Sequence, residues 1–168
     1  MPLTMYQASV PIYARHLAAL DVILDKAAAH AAARKIDPAI LIGARLFPDM
    51  WSLAEQVRSV CNHATRGPAR ITGLPVPTFD GKDATFADLK ARVAWALAFV
   101  GGLAPAQFEG GEGRSVTFPL GKDERTMTGA QYLLTFSLPN FYFHLTTAYD
   151  ILRHNGVALD KDDFIGRD

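Results

Sequence analysis

The residues with chemistry to offer gather toward the C-terminal end of the chain. His144 lies in an aromatic run beside Phe141, Tyr142 and Phe143, and Asp150 precedes His154 by four residues. A histidine among aromatics is either a ligand-contacting or acid/base imidazole in a cavity, or a half-buried ring bonded to a tyrosine or carbonyl. The Asp150–His154 spacing puts two metal-ligating groups on one helix face, but at a helix C-terminus it also makes an ordinary surface ion pair. Upstream, Asp49, Gln56 and His63 recur every seven residues. Such a stripe lines a polar pocket or marks the polar boundary of a bundle. His16 and His30 fall off the apolar stripe of their helix and are expected to face solvent. Trp51 and Trp95 read as core or interface anchors. Cys61 is the one cysteine, which excludes an intrachain disulfide, and its apolar setting predicts a small buried side chain. The glycine run at residues 110–113 follows no strand and opens no helix, so it is not a phosphate loop, and no G-x-S-x-G, HExxH or paired CxxC is present.

Four long helical patterns must position these groups. Thr4 and Gln7 have capping-box spacing, and a helix is expected over residues 5–34 with Tyr6, Val10, Tyr13, Leu17, Leu20, Leu24, Ala27 and Ala31 inward. Pro11 either kinks it or marks its true first turn. Asp37-Pro38 opens a short helical turn through Ile42. A second helix is expected over residues 48–65 behind Pro48, stopped by Gly67-Pro68 or continued one more turn to Gly73. A Pro/Gly-rich extended connection follows. Thr85 with Asp88 caps the third helix, whose stripe ends at Gly101-Gly102. Pro105 opens one further turn, and Val116 and Phe118 alternate with polar residues ahead of Gly121, which predicts a short β-hairpin. Thr128 with Gln131 caps the fourth helix, with Leu134, Leu138, Phe141, Leu145, Ala148 and Leu152 inward, a kink at Pro139 and Gly156 as its left-handed terminator.

Four such helices bury their stripes only against one another, which predicts a single all-α, four-helix-bundle domain over residues 1–168. The link of nearly twenty residues between the second and third helices is long enough for these two to run parallel, giving up-down-down-up. The chain has 168 residues, 49% hydrophobic and 20% charged, with 17 basic and 17 acidic side chains. That balance offers no electrostatic footprint for nucleic acid or an anionic membrane, and Arg58, Arg66 and Arg70 read as a solvated helix face. No secretory signal and no uninterrupted membrane-length apolar run are present, so a soluble, cytoplasmic protein is expected.

Three stretches carry a resemblance to a known group: LFPDM at residues 46–50, FYFHLTTAYDILRHNG at 141–156 and KDDFIG at 161–166. With the order of helices, they make the chain resemble the DinB/YfiT-like four-helix bundles, in an uncharacterised bacterial and fungal branch. The resemblance implies a compact bundle, often a homodimer. It also implies a divalent metal held by one histidine of the second helix and two of the fourth, in proteins some of which are thiol-dependent transferases or isomerases. Here the pair before the terminal glycine is Asp150 and His154, and His144 has Ala148 one turn on. Any surviving centre needs His63, Asp150 and His154, an Asp/His/His set acceptable to Zn²⁺, Ni²⁺, Fe²⁺ or Mn²⁺.

Two functions follow as expectations. The first is a dimeric small-ligand-binding bundle with no cofactor, its pocket lined by His144, Tyr142, Tyr149, Gln56 and Trp51. The alternative is a divalent-metal-dependent hydrolase or thiol-dependent transferase using His63, Asp150 and His154. Neither involves nucleic acid or a membrane.

Overall fold

The computed structural model describes residues 3–166. Helix α1 spans Val10–Arg34, α2 Pro38–Gly43, α3 Leu53–Thr72 and α4 Phe86–Gly101, followed by a 3-10 turn at Pro105–Phe108. A hairpin of β1 (Ser115–Leu120) and β2 (Asp123–Thr128) leads into the last long helix. This helix is built from α5 (Gly129–Tyr132), a π turn at Leu133–Ser137 and α6 (Leu138–His154), and a short α7 (Lys161–Ile165) closes the chain. The architecture is the expected all-α, up-down-down-up bundle with a hairpin between the third and fourth long helices. The α3 helix packs most extensively on α6, and α1 on α4. One apolar cluster, from Val10 to Leu159, runs through all of them.

Start signals were read correctly in kind. Thr85 and Asp88 exchange both capping-box bonds, as do Thr128 and Gln131. Thr4 and Gln7 do so too, but they cap only a turn; Pro11 sits in the first turn of α1, where its missing N–H has no partner to lose. The start of α3 corrects the expectation. Pro48 opens a turn, and the cap is Ser52, whose hydroxyl accepts from Glu55 N while Glu55 reaches back to Ser52 N at 2.8 Å. Gly67-Pro68 does not stop α3, which continues to the left-handed Gly73. Gly67 is there for approach: a Cβ would collide with Ser137 Oγ and lie 3.1 Å from the Tyr13 hydroxyl.

The π turn is the fold's answer to Pro139. Proline lacks an N–H and its ring crowds the carbonyl four residues back, so the preceding turn widens by one residue. The buried stripe shifts accordingly: Leu133 is fully buried, whereas Leu134, expected inward, is 60% exposed. Ser137, at the end of the π turn, is buried and bonds the Tyr13 hydroxyl at 2.9 Å, tying α1 to the fourth helix beside Gly67.

The hairpin pairs Val116 with Met127 and Phe118 with Arg125, with Gly121 left-handed in its two-residue turn. Val116 and Phe118 are buried and Phe118 packs on Tyr132 and Phe136, so the hairpin lies over the start of the fourth helix. The polar connection between α3 and α4 is held by Asp83, whose two carboxylate oxygens accept from Arg92 Nε and Nη2 at 2.6 and 2.9 Å. Among the described residues no helix is long and apolar enough to cross a membrane.

Candidate functional site

The capping box at Ser52 fixes the first turn of α3, and with it the phase of two residues on its α6-facing side. Gln56 follows the cap by four residues, and His63 lies two turns further on. The Gln56 side chain donates from Nε2 to the Trp51 carbonyl (3.2 Å), so its Oε1 is the end presented to His144 Nδ1, 2.7 Å away. An amide oxygen only accepts. His144 is therefore the Nδ1–H tautomer, with its lone pair on Nε2. Among the described residues no fully enclosed side-chain nitrogen or oxygen lacks a partner. His144 Nε2 has no protein partner, so it reaches solvent-accessible space even though the residue as a whole is only 8% exposed.

Three flat rings line up here. The Trp51 indole is nearly parallel to His144 (10°, centroids 5.3 Å apart), and so is the His63 ring (16°, 5.8 Å). Phe143 meets His144 edge-on, and Phe136 meets His63. Aromatic walls with few polar groups are what a small-molecule site needs. Burial pushes the His144 imidazole down to about 4. His63 is also pushed down to about 4, first by burial, then by the charges of His144, Arg66 and Arg70. Both rings are neutral at pH 7, so His144 Nε2 is a ready acceptor for a ligand N–H or O–H.

Of the pocket expected from sequence, the structure brings together His144, Gln56 and Trp51 and adds His63. Tyr142 and Tyr149 stand elsewhere. At 100° per residue Tyr142 points some 200° away from His144, while Tyr142 and Tyr149, seven apart, share a face. That face meets α1 and α7: Tyr142 packs edge-on against His16 and Tyr149 against Phe164. His16, expected in solvent, is thus half-buried among Phe141, Tyr142 and Phe164, with Nδ1 on the Ile12 carbonyl at 2.9 Å. His30 is also half-buried. Trp95 packs on Phe79, and Asp49 is exposed.

The proposed ligand set His63, Asp150 and His154 does not converge. His154 is ten residues beyond His144, a rise of ~15 Å along α6, whereas His63 stacks on His144. Asp150 and His154 also make no ion pair with each other, and His154 is exposed. Among the described residues no three His, Cys, Asp or Glu side chains are grouped to hold a metal ion. The side chains present therefore do not fit the three-ligand centre that the resemblance implies.

Arg66 and Arg70 were missed as neighbours of the site. They follow His63 by three and seven residues, a spacing that keeps all three on one side of α3. Recesses in the surface lie apart from these groups. One of about 720 Å³, lined by Leu3, Met5, Phe108, Leu133 and Leu134 among others, sits against the π turn and holds no histidine. Others of about 320 and 580 Å³ border α7 and α2.

None of the curated proteins compared matches the chain. Among solved structures, the chain is similar to a DinB family member protein from Shewanella denitrificans, with 36% identity and a TM-score of 0.90 over 98% of this chain and 93% of that one. Residues 5–165 match the family described as a domain of unknown function, DUF1993. The chain belongs to that family, on a DinB-like bundle.

Proposed function

We propose that the protein binds a small planar ligand at the solvent-reachable edge where the rings of Trp51, His144 and His63 stack. One observation carries the reading: His144 is a neutral imidazole whose Nδ1–H is engaged by Gln56, leaving a bare Nε2 lone pair at an aromatic-walled, solvent-reachable edge. The ring of the ligand lies against the stacked rings, and its donor N–H bonds Nε2. A metal-dependent hydrolase or transferase built on His63, Asp150 and His154 lacks this support, because those side chains are spread along α6 and across to α3.

The test uses neutral planar donors as probes, with benzamide as the reference and nicotinamide and indole beside it. Side-chain ¹⁵N spectra of His144 and the Trp51 indole should show saturable shifts, lost in His144→Phe. If none of the three moves either residue, the reading fails.

A homodimer belongs to the same proposal. Phe47 and Phe143 are 63% and 57% exposed, apolar side chains of the kind a partner covers. A second copy is the occupant proposed. Sedimentation equilibrium checks it, and a monomer at all concentrations refutes it.

A further inference from the structure

Arg66 and Arg70 are set apart from other cations of the bundle by lying beside His63 on one side of α3. Arg45, Arg58, Arg92, Lys26 and Lys90 each lie within 4 Å of a carboxylate oxygen. Among the described residues, neither Arg66 nor Arg70 has such a partner. They are four residues apart on one side of α3; partial burial, and then the opposing charge of Arg70, hold Arg66 below the ordinary guanidinium value. Arg70 is steered by a bond from Nη1 to the Tyr132 hydroxyl at 2.9 Å and lies over the Phe118 and Tyr132 rings. One face of its fork is fixed and the remaining N–H groups are left over. His63 adds a third donor-capable group beside them, with no hydrogen bond to either ring nitrogen among the described residues. Two unneutralised arginines and an unbonded imidazole, adjoining a row of aromatic rings, match an organic anion better than bulk water.

We infer that Arg66 and Arg70 form an anion subsite that takes the carboxylate of a planar organic acid whose ring lies against His63 and His144, at the end of the aromatic row away from Trp51. This deepens the ligand-binding proposal and rests on it. A guanidinium fork fits a carboxylate in bidentate fashion. The arginines sit in the last two turns of α3, where the negative end of the helix dipole disfavours a doubly charged ligand. A carboxylate is therefore selected over phosphate.

The experiment titrates the intact protein with benzoate, benzamide and inorganic phosphate, reading side-chain ¹⁵N resonances of His63, His144 and Arg66. Benzoate should bind about tenfold more tightly than benzamide, and Arg66→Gln should remove about that factor for benzoate alone. Arg66→Lys should retain part of it. Arg66 is exposed and its side chain makes no hydrogen bond among the described residues, so these variants keep the fold. The inference is overturned if benzoate binds no better than benzamide, if Arg66→Gln leaves its affinity unchanged, or if phosphate binds as tightly as benzoate. If benzamide still shifts His144 and Trp51 in any of these cases, the anion subsite alone has failed. If no probe shifts them, the ligand-binding proposal has failed with it.

Discussion

Acidification offers a direct test of the ring column. His63 and His144 are each held near 4 in the folded protein, against an ordinary 6.5. The unfolded chain therefore binds more protons than the folded one throughout this window. Stability is fully present above pH 6.5, declines as pH falls through it, and is lost completely only near 4. At pH 5 an unfolded histidine is almost wholly protonated while a folded one with this shift is about nine-tenths neutral. The difference is about 2 kcal/mol for His144, and about half as much for the less enclosed His63 after allowing for solvent screening. Urea unfolding at pH 7.5 and pH 5 should therefore differ by about 3 kcal/mol, and most of that difference should vanish in His63→Gln/His144→Gln. Glu55 does not confuse the result: the bonds from Ser52 hold it below 4.5, so its contribution is lost only under more acid conditions. The independent readout is the ring carbon-bound proton shift of each histidine. A midpoint near 6.5 for either ring would refute the reasoning, because no desolvated neutral column would then exist.

Gln56→Leu leaves His144 Nδ1–H without its acceptor and should cost about 1–3 kcal/mol in urea unfolding, with the ¹⁵N tautomer signature of His144 blurred. Gly129→Ala drives a Cβ into the backbone carbonyl of Gly111, which has no side chain to swing away, and should lower stability by about 3 kcal/mol; an unchanged melting midpoint would contradict the packing. Arg92→Met leaves the Asp83 carboxylate only its 3.9 Å contact with Arg58 and removes the cation over Phe79, for a loss of about 2–3 kcal/mol by calorimetry. The Cys61 thiol is buried and pushed up to about 12, so a disulfide reagent should label it only after denaturant is added.

What was legible in the chain follows from how local each signal is. Capping boxes at Thr85 and Thr128 are settled within four residues, and both are found where the spacing puts them. The end of α3 depended on a distant event: Gly67 looks like a stop until Ser137, seventy residues later, is seen pressing on it. The site failed in a similar way. Gln56 and His144 stand out in the sequence, and the 3.6-residue screw already turns Tyr142 some 200° from His144, but it could not show that Tyr142 and Tyr149 would meet α1 and α7. Nor could it show that the π turn would exchange Leu134 for Leu133 in the core. His63 lay in the heptad stripe with Gln56, and its true neighbour, His144, belongs to another helix.

The π turn also bears on which length changes this chain can absorb. An α-helix that gains one residue rotates everything downstream by about 100°, whereas a π turn takes in the extra residue and leaves both flanking faces in phase. The stretch from Gly129 to His154 is therefore one residue longer than its two buried faces require, and the surplus lies within Leu133–Ser137. Removing a residue there, with Pro139→Ala to supply the missing N–H, would restore an ordinary helix with the hairpin end and the His144 end still correctly aimed. Removing one after Phe141 would swing Ala148 and Leu152 out of the core. Indel tolerance along this helix is thus confined to a single turn.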